Sequence, residues 1–143
     1  ASEKAVELLL PVDVVVADEI DENSDVETVS IDNIPSGKRI VDIGLRTVAN
    51  FADQLKNCRT VFWNGTMGIS EIPAFAAGTR AVAEILSGLD AVTVLGGGST
   101  SEAATNMGLA EKMTFISTGG GASLKFLGGQ KLPGVEALLD KKS

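Results

Sequence analysis

The chain has 143 residues, a formal net charge of −7 and no histidine, which excludes Ser-His-Asp and Cys-His catalysis and a zinc site built from Cys and His. This acidic balance argues against a general binding surface for nucleic acid or for an anionic membrane. With 44% hydrophobic and 22% charged residues, the composition predicts one folded, soluble domain, and the single cysteine, Cys58, excludes an intrachain disulfide and favours a reducing cytoplasm.

Strands and helices are predicted to alternate along most of the chain. Residues 2–10 suit the last turns of a helix, and the apolar run over 12–17 is typical of a parallel strand buried on both faces. The acidic stretch 18–25 is predicted to be a solvated loop, because it lacks the glycine and the ligand order of a calcium loop. The remaining predicted elements are an edge strand at 27–31, an extended piece at 40–44, a helix at 46–57, a strand at 61–63, a helix at 71–86, a strand at 91–95, a helix at 99–107, a strand at 113–116, a helix at 122–127 and a short helical piece at 133–139.

This order predicts an α/β fold with an open, mostly parallel Rossmann-like sheet and helices on both faces. Ligands of such sheets bind beyond the carboxyl ends of the strands. Three predicted strands end in glycine, at Gly65, Gly96 and Gly119, so all three loops should lie on the same rim. Glycine lets the backbone turn sharply and lets a ligand approach closely, and tight turns alone explain such glycines about as well.

The most informative of these loops is Gly96-Gly97-Gly98, which precedes a predicted helix. Ser99 and Glu102 fit the reciprocal capping pattern of a helix that begins at that point. Free amides at the helix start then form an anion site, most naturally one for phosphate. Because the chain contains neither G-x-G-x-x-G after these strands nor G-x-x-x-x-G-K-[ST], the pattern argues against a nicotinamide enzyme and an ordinary P-loop NTPase.

At these loops the sequence resembles the phosphoglycerate kinase family, whose members move a phosphoryl group between 1,3-bisphosphoglycerate and ADP in glycolysis. The matching runs, in family order and spacing, are Leu10-Pro11-Val12-Asp13, Asp42-Ile43-Gly44, Trp63-Asn64-Gly65-x-Met67-Gly68, Gly96-Gly97-Gly98, the segment 116–124 and Leu132-Pro133-Gly134-Val135. The resemblance implies that residues 1–143 are the later part of the C-terminal nucleotide-binding domain, with the N-terminal substrate domain absent. It further implies ATP or ADP and Mg²⁺ as cofactors, a cytoplasmic and monomeric parent kinase, no nucleic-acid or membrane partner, and 3-phosphoglycerate binding only through the absent domain.

The resemblance also implies roles for individual residues. Glu71 resembles the carboxylate that accepts from the ribose hydroxyls, and the alternative is an acid that the helix dipole favours at a helix start. Asn64 resembles the side chain that touches the phosphates, or is a plain turn former, and Ile69 resembles a wall of the adenine pocket, or is plain core. The positions at the phosphate end of the nucleotide site are Gly97, Gly98, Ser99 and Thr100. The loop whose amides meet the transferring phosphoryl group is Thr118, Gly119 and Gly120.

Two further motif residues, and three positions that differ from the usual family sequence, bear on this interpretation. Asp13 and Asp42 are predicted to be structural and to bond loop amides. The family usually has Asp, a Mg²⁺ ligand, where Ser99 stands, so the metal ligand is left unassigned here. Thr66 replaces the usual proline, and Ile40 stands where a glycine near the adenine is common. Two alternatives stay open: a nucleotide- or phosphate-binding module or inactive relative without catalysis of its own, and a structural piece whose function needs other chains.

Overall fold

Two three-stranded sheets organise the chain in the computed structural model, which describes residues 6–138. The first sheet is antiparallel, in the order β2-β1-β3. The second is parallel, in the order β4-β5-β6. The strands are β1 (Asp13–Ala17), β2 (Val26–Ser30), β3 (Arg39–Ile43), β4 (Thr60–Asn64), β5 (Val92–Gly96) and β6 (Phe115–Ser117).

Helices follow the strands of the parallel sheet and connect the two sheets. The α-helices of the described part are α1 (Leu45–Leu55), α2 (Ala77–Ser87), α3 (Gly98–Asn106), α4 (Gly120–Leu127) and the short α5 (Pro133–Glu136). Single 3₁₀ turns occur at Ile31–Asn33, Pro73–Phe75 and Ala110–Lys112. No helix within residues 6–138 is long and apolar enough to span a bilayer.

The main core lies between one face of the parallel sheet and helices α1 to α3. Because side chains alternate between the faces of a strand, Trp63 and Leu95 point into this core, whereas Phe62 and Val94 line a groove against α4. The buried members of the core are Ile43, Trp63, Val82, Ala83, Leu86, Leu95, Ala104 and Met113. A smaller cluster of Ala17, Val41 and Phe75 lies beneath the antiparallel sheet. Helices α1 to α3 therefore support the strands β4, β5 and β6 from one face of the parallel sheet.

The predicted α/β fold with a parallel, helix-flanked sheet is confirmed, but the direction predicted for the strand at 12–17 is wrong. β1 pairs antiparallel with both of its neighbours. It is the central strand of its sheet and is buried along most of its length. A continuous apolar run therefore indicated burial of both faces correctly, but burial carries no information on strand direction. The predicted edge strand at 27–31 is confirmed as β2.

Three predicted helical segments also differ from the structure. Residues 6–10 are not helical, and residues 1–5 of the predicted 2–10 helix lie outside the described part. The helix predicted from Glu71 begins only at Ala77, after the 3₁₀ turn that starts at Pro73. Ile72 is extended, with φ −108° and ψ 115°, because proline disfavours the helical conformation of the residue before it. The helical piece predicted at 133–139 ends at Glu136, and Leu139 lies outside the described residues.

Candidate functional site

Two buried aspartates of the antiparallel sheet, Asp13 and Asp42, accept hydrogen bonds at the starts of the helices that follow it. One oxygen of Asp13 accepts from the Thr47 amide at 2.7 Å and from the Thr47 hydroxyl at 2.6 Å, and the other accepts from the Arg46 amide at 3.0 Å. These amides belong to the first turn of α1, whose N-cap residue, Gly44, has no side chain to cap it. A Cβ at Gly44 would overlap the Asp13 carboxylate. Asp13 therefore caps α1 from a different element.

Asp42 does the same for α2. Its carboxylate accepts from the Gly78 amide at 2.7 Å and from the Ile43 amide at 2.8 Å. Added Cβ atoms at Gly68 and Gly78 would overlap this carboxylate, so glycine is required at both positions. Asp13 and Asp42 bond backbone amides, but these are not the predicted loop amides: those of Arg46, Thr47 and Gly78 lie at helix starts, and that of Ile43 lies in β3.

The two carboxyl groups differ in their ionisation. Burial would raise the pKa of Asp13, but the hydrogen bonds from Thr47 and Arg46 and the charge of Arg46 outweigh it and hold that pKa below its ordinary value of 3.8. For Asp42, burial dominates and raises the pKa above 3.8, against the hydrogen bonds from the amides of Gly78 and Ile43. The folded chain therefore favours the ionised form of Asp13, whereas burial makes ionisation of Asp42 unfavourable relative to the unfolded chain.

Buried threonines on the helices tie down the loops next to the rim. The hydroxyl oxygen of Thr79 accepts from the amides of Met67 at 3.0 Å and Gly68 at 3.3 Å. The hydroxyl oxygen of Thr100 accepts from the Gly65 amide at 2.8 Å. Both side chains are fully buried. The loop after β4 is therefore fixed from α2 and from α3, and Thr100, a predicted phosphate-end residue, has its oxygen engaged by the protein itself.

The three glycine loops meet on one rim, as predicted. The Gly97 amide donates to the carbonyl of Ser117 at 2.9 Å, which joins the loop after β5 to the end of β6. A Cβ at Gly120 would lie 2.6 Å from Oδ1 of Asn64 and 2.8 Å from the backbone of Gly97. Asn64, Gly97 and Gly120, which come from the ends of three strands, are thus in direct contact.

The glycines of the rim fall into two groups: those that packing or backbone geometry requires, and those that neither requires. Gly96 and Gly120 leave no room for a side chain, and Gly97 has a φ of +99°, which favours glycine. In contrast, nothing lies within 4 Å of a Cβ added at Gly98 or Gly121, and neither residue has a positive φ. Packing and turn geometry therefore explain the first group. The second group leaves an open backbone surface at the start of α3 and α4.

The predicted cap of α3 by Ser99 is wrong. α3 begins at Gly98, its N-cap residue is Gly97, and no side chain caps it. The N-cap lies two residues before Ser99, at Gly97 with its positive φ, so Ser99 already lies within the first turn. The first intrahelical bond runs from the Ser101 amide to the Gly97 carbonyl at 3.1 Å, which leaves the amides of Gly98 and Ser99 without intrahelical partners.

A cleft of about 310 Å³ opens between the segment 70–80 and α3. Its polar lining includes Glu71 and Ser99, as well as Arg80 and Glu102, and alanines, Pro73 and Met107 form the apolar part. Glu71 is exposed and precedes α2 by six residues, so it does not occupy the start of that helix. Arg80 is a residue that the sequence interpretation missed, because no local motif marks it.

The other predicted residues lie apart from this cleft. Ile69 packs half-buried against the cluster of Ala17, Val41 and Phe75 and does not line the cleft, so its contact with adenine stays a prediction. Asn64 is exposed at the rim. Thr118 and Gly119 are exposed at the start of the loop before α4.

Mg²⁺ does not fit the residues at the start of α3 as a protein-held ion. Mg²⁺ prefers carboxylate oxygens, but the open first turn offers the Ser99 hydroxyl. Within the described ranges no group of three or more Cys, Asp or Glu side chains is placed to hold a metal.

Comparisons with known proteins agree on one family. The family model described as phosphoglycerate kinase matches residues 1–130. The phosphoglycerate kinases of Herpetosiphon aurantiacus and Trichodesmium erythraeum are each 51% identical, over 99% of this chain and 36% of their own length. The solved structure of phosphoglycerate kinase from Coxiella burnetii matches with a TM-score of 0.88 and 41% identity, over 94% of this chain and 35% of that one. The chain thus spans about a third of the length of the relatives that it matches.

Proposed function

The chain belongs to the phosphoglycerate kinase family, and on that premise we propose that it carries part of the ATP/ADP site of a kinase that transfers a phosphoryl group between ATP and 3-phosphoglycerate. The open backbone at Gly98 carries this proposal, because nothing within the protein requires glycine there. A ligand that lies against the backbone would require it. The adjacent cleft, with Glu71 and Ser99, has room for a ribose and the phosphate attached to it.

In this proposal the nucleotide phosphates bind the free amides of Gly98 and Ser99 at the start of α3. The amides of Thr118, Gly119 and Gly120 stabilise the charge on the transferring phosphoryl group, as preorganised donors do in phosphoryl transfer. Glu71 accepts from the ribose hydroxyls. Asn64 orients the phosphates from the end of β4, and Thr100 acts indirectly by holding the Gly65 amide.

The test is titration with ADP, followed through the fluorescence of Trp63, the only tryptophan, which precedes Asn64. We expect saturable binding by the unchanged chain. The variant Gly98→Ala should keep its stability, because its new methyl group meets only open space, but should bind ADP at least tenfold more weakly, a loss of about 1.4 kcal/mol. Unchanged ADP affinity in Gly98→Ala would contradict phosphate contact at α3.

We expect the 143-residue chain by itself to show no kinase turnover. Positioning of both substrates supplies most of the rate in this chemistry, and the family resemblance places the 3-phosphoglycerate site in another domain. The measurement is a coupled assay with ATP and 3-phosphoglycerate. Turnover on the order of 1–100 s⁻¹, as is typical of kinases, would contradict this expectation. Binding of ADP without turnover is the result that we expect of this chain by itself.

Mg²⁺, when bound with the nucleotide, neutralises charge on the phosphate oxygens. Because Ser99 offers a hydroxyl rather than a carboxylate, we expect Mg²⁺ to strengthen nucleotide binding only weakly in this chain. The variant Ser99→Asp should increase the Mg²⁺ dependence and weaken metal-free binding, since an added carboxylate repels bare phosphates. Nucleotide titrations of the unchanged chain and of Ser99→Asp, each with Mg²⁺ and with a chelator, measure the effect. Equal Mg²⁺ dependence in the two would mean that the ion is held elsewhere.

A further inference from the structure

Arg80 is the cationic side chain of the cleft between the segment 70–80 and α3. It is the fourth residue of α2 and shares the cleft lining with Glu71, Ser99 and Glu102. The fold brings these side chains together from three separate stretches of sequence. Glu71 comes from the loop before α2, and Ser99 and Glu102 come from α3.

The guanidinium of Arg80 has no protein partner among residues 6–138. The ion pairs in this part of the chain are Lys38–Asp18, Lys56–Asp53 and Lys131–Glu136. Neither glutamate of the cleft lies within 4.0 Å of Arg80, although both share its cavity. Arginine remains charged at all ordinary pH values and presents five N–H donors in a planar fork that matches phosphate oxygens. An exposed, unpaired guanidinium in a concave site is therefore available to a ligand.

The charges of the cleft limit what that ligand can be. Two carboxylates against one guanidinium, in a chain of net charge −7, disfavour a bare anion such as inorganic phosphate. The same carboxylates are good acceptors for hydroxyl groups. The lining therefore suits a molecule that brings hydroxyl donors and one anionic group together, which a sugar phosphate does.

We propose that Arg80 binds the phosphate attached to the ribose of a nucleotide whose ribose hydroxyls contact Glu71. This inference rests on the proposed function and adds the contact that discriminates a nucleotide from a nucleoside in this cleft. The volume of about 310 Å³ accommodates a ribose and its phosphate, near the lower end of the roughly 300–1,000 Å³ usual for small-molecule sites.

The test compares the affinities of AMP and adenosine, measured by calorimetry, in the unchanged chain and in Arg80→Gln. Loss of a charged hydrogen bond to phosphate should weaken AMP binding by about 10- to 100-fold and leave adenosine binding unchanged. Arg80→Lys should recover part of the AMP affinity, because it restores the charge but not the planar fork. The matched control is Arg59→Gln, which removes the same charge next to the start of β4, at the opposite end of the parallel sheet, and should leave both affinities unchanged.

The outcomes separate this inference from the function on which it rests. If the unchanged chain binds ADP and AMP but Arg80→Gln weakens AMP and adenosine equally, or neither, Arg80 does not bind the phosphate and the inference is overturned while the nucleotide site stands. If the unchanged chain binds none of the three compounds, the proposed function fails and the inference fails with it. Thermal unfolding of each variant checks that the exposed substitution leaves the fold intact.

Discussion

Replacement of Asp13 by alanine is expected to lower the free energy of unfolding by about 2–4 kcal/mol. The variant removes a carboxylate that is 4% exposed and that accepts from the Thr47 amide, the Thr47 hydroxyl and the Arg46 amide. The amides of Arg46 and Thr47 would then lose this acceptor, at the start of a helix that has no cap of its own, whereas the Thr47 hydroxyl would keep the Asp13 carbonyl at 2.9 Å. Denaturation by urea measures the change.

The matched control is Asp53→Ala, which removes an exposed carboxylate from α1 that is paired with Lys56 at the surface. Its effect should stay below about 1 kcal/mol, as is usual for exposed ion pairs. Equal effects of Asp13→Ala and Asp53→Ala would mean that the buried cap contributes nothing beyond a surface charge.

The pH dependence of stability provides an independent check on Asp13. Because its folded-state pKa lies below its ordinary value of 3.8, the unfolded chain takes up the proton first as the pH falls. The contribution of Asp13 is thus fully present above pH 3.8 and is lost as the pH falls through the folded-state pKa. The difference in stability between the unchanged chain and Asp13→Asn should be largest above pH 3.8 and should shrink below it. Asp42, whose pKa is raised, acts in the opposite direction: its ionisation costs stability once the pH exceeds its folded-state pKa.

Gly120→Ala is expected to disrupt the nucleotide site and to destabilise the fold, whereas Gly121→Ala, one residue along, should do neither. A methyl group at Gly120 would lie 2.6 Å from Oδ1 of Asn64 and 2.8 Å from the Gly97 backbone, so the loops at the ends of three strands must move apart. Such overpacking costs about 1–3 kcal/mol. We expect ADP affinity to fall by more than about tenfold, because the amides proposed to bind phosphate lose their alignment.

Gly121 provides a close control because nothing lies within 4 Å of its added methyl group. Alanine is favoured over glycine inside a helix by about 0.5–1 kcal/mol, so Gly121→Ala should be as stable as the unchanged chain or more stable. Thermal unfolding and ADP titration are measured on both variants. If the two are equally stable and bind ADP equally well, the three strand ends are not packed as tightly as the structure shows.

Capping patterns read from neighbouring residues predicted the helix starts wrongly. The pair Ser99 and Glu102 matches a capping pattern, yet the N-cap of α3 lies two residues earlier, at Gly97, where the backbone adopts a positive φ. Glu71 precedes the start of α2 by six residues, because Pro73 forces the preceding residue into an extended conformation. α1 and α2 are capped instead by Asp13 and Asp42. These carboxylates accept hydrogen bonds from amides that lie 34 and 36 positions further along the chain.

The sequence by itself determined the family, the α/β class and the meeting of three glycine loops on one rim, because alternating strands and helices place the carboxyl ends of parallel strands on the same edge. Only the tertiary structure decided which glycines packing requires, which way β1 runs, and that Arg80 shares a cleft with Glu71 and Ser99. The physical reason is range. Periodicity and capping patterns describe residues within about four positions of each other, whereas these features depend on contacts between elements that are distant in the chain and meet only when the core forms.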